Sequence, residues 1–284
     1  MKIIHDQIPN IKIIVTGSSS LELANEVNEP LTGRKIIFNL FPISYQELSA
    51  QFNSFELRDS LETRLIYGGY PEIFSLENNE QKRIYLIELS NSYLYKDILQ
   101  LATIKKSNRI TNLLRLLAYQ IGSEVSLSEI SCNLNLDKET VARYIDLLEK
   151  SFVIFQIGGF NRNLRKEVSK MDKIYFYDLG IRNIVIDNFK QLKDRNDVGQ
   201  LWENFLISER MKYIEYSGKY VAIYFWRTYT GAELDYIEES NDFLFGYEFK
   251  WGNKKSNVPK TWKETYPNTE LKLINKENFL NFVS

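Results

Sequence analysis

The stretch GAELDYIEESNDFLFGYEFK, Gly231 to Lys250, holds two apolar-rich runs on either side of Asn241-Asp242. Their alternation reads as two strands, and the Asn-Asp pair reads as a two-residue hairpin turn. Counting back equally from that turn puts Asp235 opposite Glu248 and Glu233 opposite Lys250, with all four on one face. Two carboxylates set directly opposite each other repel. A divalent cation between them removes the penalty, because hard cations take oxygen ligands. Mg²⁺ is therefore the expected cofactor, held by Asp235 and Glu248. Lys250 is placed to orient a water or to hold charge on a phosphate. The competing reading is a solvated charged face with a Glu233–Lys250 ion pair, and the strongly apolar opposite face fixes the register in either case.

Working outward, VGQLWENFLISERMKYIEY before the hairpin reads as a helix, apolar at Val198, Leu201, Trp202, Phe205 and Leu206. Glu203 on that helix is a candidate third oxygen for the cation. VAIYFWRT and ELKLI read as further strands, and Arg227 at the end of the first reads as a surface cation.

Upstream, ITNLLRLLAYQIG predicts a helix. SLSEISCNL carries the capping pattern Ser126-x-x-Glu129, and KETVARYIDLLEK is a third helix with Asp137 as its N-cap and Val141, Ile145 and Leu148 on one face. The strand FVIFQI follows at once, and KIYFYDLG returns after a basic segment. Three helices closing on a strand pair predict a winged helix-turn-helix. Its candidate phosphate-binding residues are Lys138 and Arg143 on the third helix and Arg162, Arg165 and Lys166 in the wing, with Lys170 and Lys173 beside them. Acidic residues cancel the charge of the third helix, and winged helices also serve protein contact, so DNA and protein partners both stay open.

Residues 56 to 102 read as a helical connector broken by the loop YGGYPEIF, with Ile84, Ile87, Leu94, Ile98 and Leu101 at helical spacing. Nearer the amino terminus, IKIIV (Ile11 to Val15) reads as a strand buried on both faces, running into the turn TGSSS, and KIIFNLF (Lys35 to Phe41) reads as a second strand. A phosphate loop needs G-x-x-x-x-G-K-[ST], and that pattern occurs nowhere in the sequence.

The bulk properties set outer bounds. A net charge of −1 gives no global field for nucleic acid, so any such site is a local patch. One cysteine, Cys132, and one histidine, His5, exclude an internal disulfide and a Cys/His zinc site, and they point to a reducing compartment, the cytoplasm. No run reaches the roughly 18 apolar residues of a membrane span.

Taken together, TGSSSLEL, LTGR, FPISYQEL, YGGYPE and YLYKDI, followed by KIYFYDLGIRN, GQLWENF and GAELDYI…YEFK, resemble bacterial and archaeal AAA-like ATPases of the STAND-related kind that end in a domain of unknown function. The resemblance implies that IKIIV is the sensor strand. Thr16 and Ser18 would then sense the nucleotide, and Arg34 would lie near the nucleotide end of the sheet. It implies a tail made of a winged helix and a domain similar to PD-(D/E)xK nucleases, with Glu203, Asp235, Glu248 and Lys250 at the nuclease-like positions. The sequence departs from the pattern in two places. The P-loop and acidic strand expected before Ile11 are missing, so the chain reads as a shortened member, and ATP is expected only where that part is supplied. Leu234, not proline, precedes Asp235.

The expected fold class is an α/β remnant plus helical connector, a winged helix-turn-helix, and an α+β PD-(D/E)xK-like domain. The corresponding segments are 1–50, 51–104, 105–170 and 171–284. The expected function is DNA association by a member unable to hydrolyse ATP alone, the alternative being a non-catalytic protein-interaction module.

Overall fold

The structure, a computed structural model, describes residues 11–17, 36–97, 107–160, 171–228, 231–252, 259–266 and 268–284. The first two expected strands do not form. Ile11 to Gly17 and Ile36 to Leu40 have no regular structure, with Ile14 88% and Leu40 94% exposed. A wholly apolar strand needs neighbouring strands on its edges and layers on both faces, and the described residues supply neither. Thr16 is accordingly an exposed residue outside any strand. Ser18 and Arg34 lie outside the described residues.

The connector is a run of short helices. They are α1 (Tyr45–Leu48), α2 (Ser54–Asp59), α3 (Leu61–Tyr67), α4 (Pro71–Ser75) and α5 (Asn79–Leu89), the last passing into a π-helical segment, Ser90–Asp97. Ser44 with Glu47, Asn53 with Glu56 and Asn78 with Gln81 form reciprocal capping boxes that start three of them. Gly68 ends α3 at φ +77°, a conformation natural to glycine. The apolar stripe expected along α5 is only partly buried. Ile84 and Ile87 are exposed while Leu86 and Leu94 enter the core, so the buried face of α5 is not the one the spacing predicts.

Three helices and a hairpin follow: α6 (Ser107–Tyr119), α7 (Leu127–Leu134), α8 (Lys138–Lys150), β1 (Ile154–Ile157) and β2 (Lys173–Phe176). Ser126 caps α7 through the Glu129 N–H, though the reciprocal Glu129 bond of a full capping box does not form, and Asp137 caps α8 through the Thr140 N–H as the sequence predicts. Val141, Ile145 and Leu148 are buried together. β1 and β2 pair antiparallel, with Ile154 opposite Phe176 and Ile157 opposite Lys173.

Beyond α9 (Leu179–Val185), α10 (Val198–Tyr216) leads into a sheet of β3 (Ala222–Arg227), β4 (Glu233–Ser240), β5 (Phe243–Phe249) and β6 (Thr269–Ile274). The strands lie in sequence order. The first two pairings are antiparallel and the last is parallel, reached through the crossover helix α11 (Lys260–Thr265). Asn241 and Asp242 both take positive φ, 51° and 62°, which makes the expected tight turn, and β4 pairs with β5 from Ser240–Phe243 to Tyr236–Tyr247. A main core runs from α1 through α10 to one side of the sheet, where α12 (Leu280–Val283) closes it. A smaller core of Phe160, Trp226, Leu234, Ile237, Leu244, Trp262 and Tyr266 lies under α11. Phe160 joins the hairpin to the sheet, since its N–H donates to the Phe225 carbonyl at 2.6 Å.

Candidate functional site

The β4–β5 hairpin, β2 and α10 meet at one group of charged side chains. Asn204 fixes the helix to the strand: its amide accepts from the Phe176 N–H and donates to the Phe176 carbonyl, both at 2.8 Å. That clamp sets the neighbouring Glu203 against β2, where the Tyr175 hydroxyl donates to its Oε1 at 2.7 Å and Lys173 Nζ lies 3.3 Å away. Gly122 closes the other side. Its backbone turns at φ +72°, and a Cβ there would meet the Glu203 carboxylate at 3.4 Å.

Asp235 owes its position to a bulge. Tyr224 pairs with Ile237 and Trp226 with Leu234, so two steps along β3 match three along β4, and the extra residue falls at Asp235–Tyr236. Bulges re-aim the side chain beside them. Asp235 Oδ2 turns to accept the Phe249 N–H at 2.7 Å, across from Glu248 in the continued register. Burial, followed by the charges of Glu203 and Glu248, drives the Asp235 carboxyl up to about 8 against the pull of that hydrogen bond and of Lys173. Glu203 is likewise raised by burial, which outweighs Lys173 and Tyr175.

Of the sequence-predicted residues, Glu203, Asp235, Glu248 and Lys250 come together. The Glu233–Lys250 pair of the competing reading does not form, because both partners have closer ones. Lys250, the residue after β5, lies 2.5 Å from Glu248, and Glu233 lies 2.6 Å from Lys173. Lys173 reads as an exposed wing cation, yet it is 2% exposed and sits between Glu203 and Glu233 with the Phe225 ring 5.2 Å below it. Burial would lower its pKa, but the charges of Glu203 and Glu233 win and raise it, so it stays an ammonium. Lys173 and Tyr175 alternate with apolar Ile174 and Phe176, the pattern by which a strand presents two polar groups to one face. Among the described residues no three carboxylates converge closely enough to share one metal ion.

On α8, Lys138 and Arg143 are exposed, while Lys150 is paired with Asp146 at 2.8 Å. Arg162, Arg165 and Lys166 lie outside the described residues. Arg227, half exposed, reaches Glu124 at 3.9 Å and Glu233 at 4.0 Å, at the edge of the charged group.

Three family models match the chain in succession: an AAA domain over residues 1–49, a domain of unknown function (DUF8612) over 58–192, and a second (DUF4143) over 198–280. In succession these matches follow an AAA-like family with a carboxy-terminal domain of unknown function. Similar proteins are an uncharacterised protein of Mycobacterium tuberculosis, 26% identical over 84% of this chain and 52% of its own length, and one of Methanocaldococcus jannaschii, 23% identical over 93% and 61%. A third, from Haemophilus influenzae, is 26% identical over 62% of this chain and 46% of its own length. The chain thus spans about half the length of the curated relatives it matches. No solved structure matches it. Among the described residues no helix is long and apolar enough to cross a membrane.

Proposed function

We propose that this chain is a DNA-associated member of the ATPase-like family. In this reading α6 to α8 and the β1–β2 hairpin serve as a winged helix, and α10 with the sheet serves as a PD-(D/E)xK-like domain that handles phosphates. The observation that carries the reading is the buried Asp235 carboxyl beside a bulge in β4, which accepts the Phe249 N–H at 2.7 Å and is raised by burial and by the charges of Glu203 and Glu248. The order helix, three strands, helix, strand supports it.

The donor set is all oxygen, which fits a hard divalent cation. Asp235 and Glu248 would hold Mg²⁺ as a pair, with water completing its shell. Such an ion would supply charge stabilisation at a phosphate and a more acidic bound water. Lys250 stands beside Glu248 and would hold phosphate charge. Lys138 and Arg143, with Arg162, Arg165 and Lys166 of the intervening segment, would hold the nucleic-acid backbone. ATP would enter only where a phosphate loop is supplied, since that pattern does not occur in the sequence.

Calorimetric titration of Mg²⁺ into the wild-type chain and Asp235→Ala tests the carboxylate site. Saturable heat in the first and its loss in the second are expected. Equal heats in both would remove the site. A second reading, a protein-interaction module, is favoured by the charge balance of α8, where Glu139, Asp146 and Glu149 offset Lys138, Arg143 and Lys150. DNA binding separates the two.

A further inference from the structure

We propose that the groove between α6 and α7 docks a short acidic segment of a protein partner, one that carries a large apolar side chain beside an aspartate or glutamate. Asn112, Arg115, Leu116 and Tyr119 recur at i, i+3, i+4 and i+7 of α6, so one helix face presents all four. Asn133 and Leu134 close the groove from the end of α7, around a cavity of about 270 Å³. Leu116 and Leu134 are half-buried and supply its apolar lining. Arg115 is exposed beside them, and the Tyr119 ring stands 68% exposed.

Charge complementarity names the occupant. α6 carries Arg109 and Arg115 and no carboxylate, and neither arginine makes an ion pair among the described residues. Arg109 lies two turns before Leu116 and so shares its face. The one carboxylate of α7, Glu129, takes the Gln120 amide at 3.5 Å. On α8 the acids equal the bases, so the unmatched positive charge of the three helices borders the groove. An acidic segment complements that charge, and a guanidinium takes a carboxylate through two parallel hydrogen bonds. Tyr and Arg are enriched among the side chains that carry binding energy at protein contacts, and the two asparagine amides supply donors and acceptors for an occupant's backbone. A concave apolar lining is filled by a side chain, whereas a phosphodiester leaves it empty. The inference is independent of the DNA reading, which calls on α8 and the residues between β1 and β2.

Selection of a random decapeptide display library on the full wild-type chain, with Arg115→Glu as the counter-selection, tests the groove. Enriched peptides are expected to hold Asp or Glu close to Leu, Ile or Phe. The best of them, labelled and measured by anisotropy, is expected to lose about tenfold or more in affinity to Arg115→Glu and to Tyr119→Ala. Both substitutions fall on exposed side chains, so the core is left intact. Exchanging the acids of that peptide for Lys is expected to restore binding to Arg115→Glu. A library that yields no enriched peptide, enrichment of basic peptides, or equal affinity for wild type and Arg115→Glu overturns the proposal. A labelled DNA duplex is measured beside the peptide on wild type and Tyr119→Ala, a substitution that changes no charge. Equal duplex affinities are expected, and a tenfold loss in Tyr119→Ala would assign the groove to nucleic acid and overturn the peptide reading.

Discussion

The Glu209 carboxylate accepts the backbone N–H of Tyr45 at 2.6 Å, joining α10 to the start of α1 across 164 positions of sequence. Arg64 and Lys212 reach the other Glu209 oxygen at 2.9 and 2.8 Å, and Arg64 also donates to the Ile43 carbonyl at 2.7 Å. The Arg64 guanidinium lies over the Tyr45 ring, 4.8 Å from its centroid. Burial would raise the Glu209 pKa, but Lys212 and Arg64 outweigh it and hold the carboxyl below its ordinary value. These contacts fasten the end of the AAA-matched segment to the carboxy-terminal domain.

Glu209→Gln leaves two buried cations without their counter-charge, so it is expected to destabilise by about 3–5 kcal/mol. Adding Lys212→Met should return part of that loss. Denaturant unfolding of the two single variants and the double variant measures the coupling, and strict additivity would contradict a shared network.

Gly180 packs so closely on α3 that a Cβ would overlap the Tyr67 carbonyl, a backbone atom that has little room to yield. Gly180→Ala is therefore expected to cost roughly 1–3 kcal/mol, in the range of overpacking. The denaturation midpoint reports it, and an unchanged midpoint would mean that α3 and α9 are not packed as described.

Asp197 sits between Arg195 and Arg182, with contacts at 2.8 and 2.6 Å. Burial pushes its carboxyl up, but those two cations and their hydrogen bonds outweigh it and hold the carboxyl at about 2. A depressed folded-state pKa contributes stability above the unfolded value that is lost as pH falls through the folded one. The contribution, roughly 2 kcal/mol at most, should fade between about pH 4 and pH 2. Asp197→Asn should show a correspondingly flatter stability curve over that window.

Asp235 has the opposite sign. Its carboxyl is raised to about 8, so it penalises folding increasingly as pH climbs from its unfolded value, about 4, towards 8. In metal-free buffer Asp235→Asn is expected to raise the melting temperature near pH 8, by a stability on the order of a few kcal/mol, and to change it little at pH 4. Melting curves at the two values decide this. A variant less stable than wild type at pH 8 would mean that Asp235 bears no such penalty.

The hairpin centred on Asn241-Asp242 was legible because its turn residues and its alternation agree, and one apolar face admits only one register. The caps Ser126 and Asp137 were legible for the same local reason. Ile11 to Val15 and Lys35 to Phe41 misled because β propensity is realised only inside a sheet. Lys173 was hidden because its burial is decided by α10 and β4, which lie 30 and 60 positions away at the paired residues Glu203 and Glu233. The bulge at Asp235 leaves no mark in the alternation of β4 alone. It becomes visible only when β3 is laid beside it.

DNA association is tested most directly by fluorescence anisotropy of a labelled duplex across a salt series, with wild type and Lys138→Ala/Arg143→Ala. The account predicts binding whose log affinity falls linearly with log salt, with a slope shallower by about 1 to 2 in the double variant. Absence of binding, or an affinity indifferent to salt and to both substitutions, would contradict it and leave the protein-interaction reading in its place.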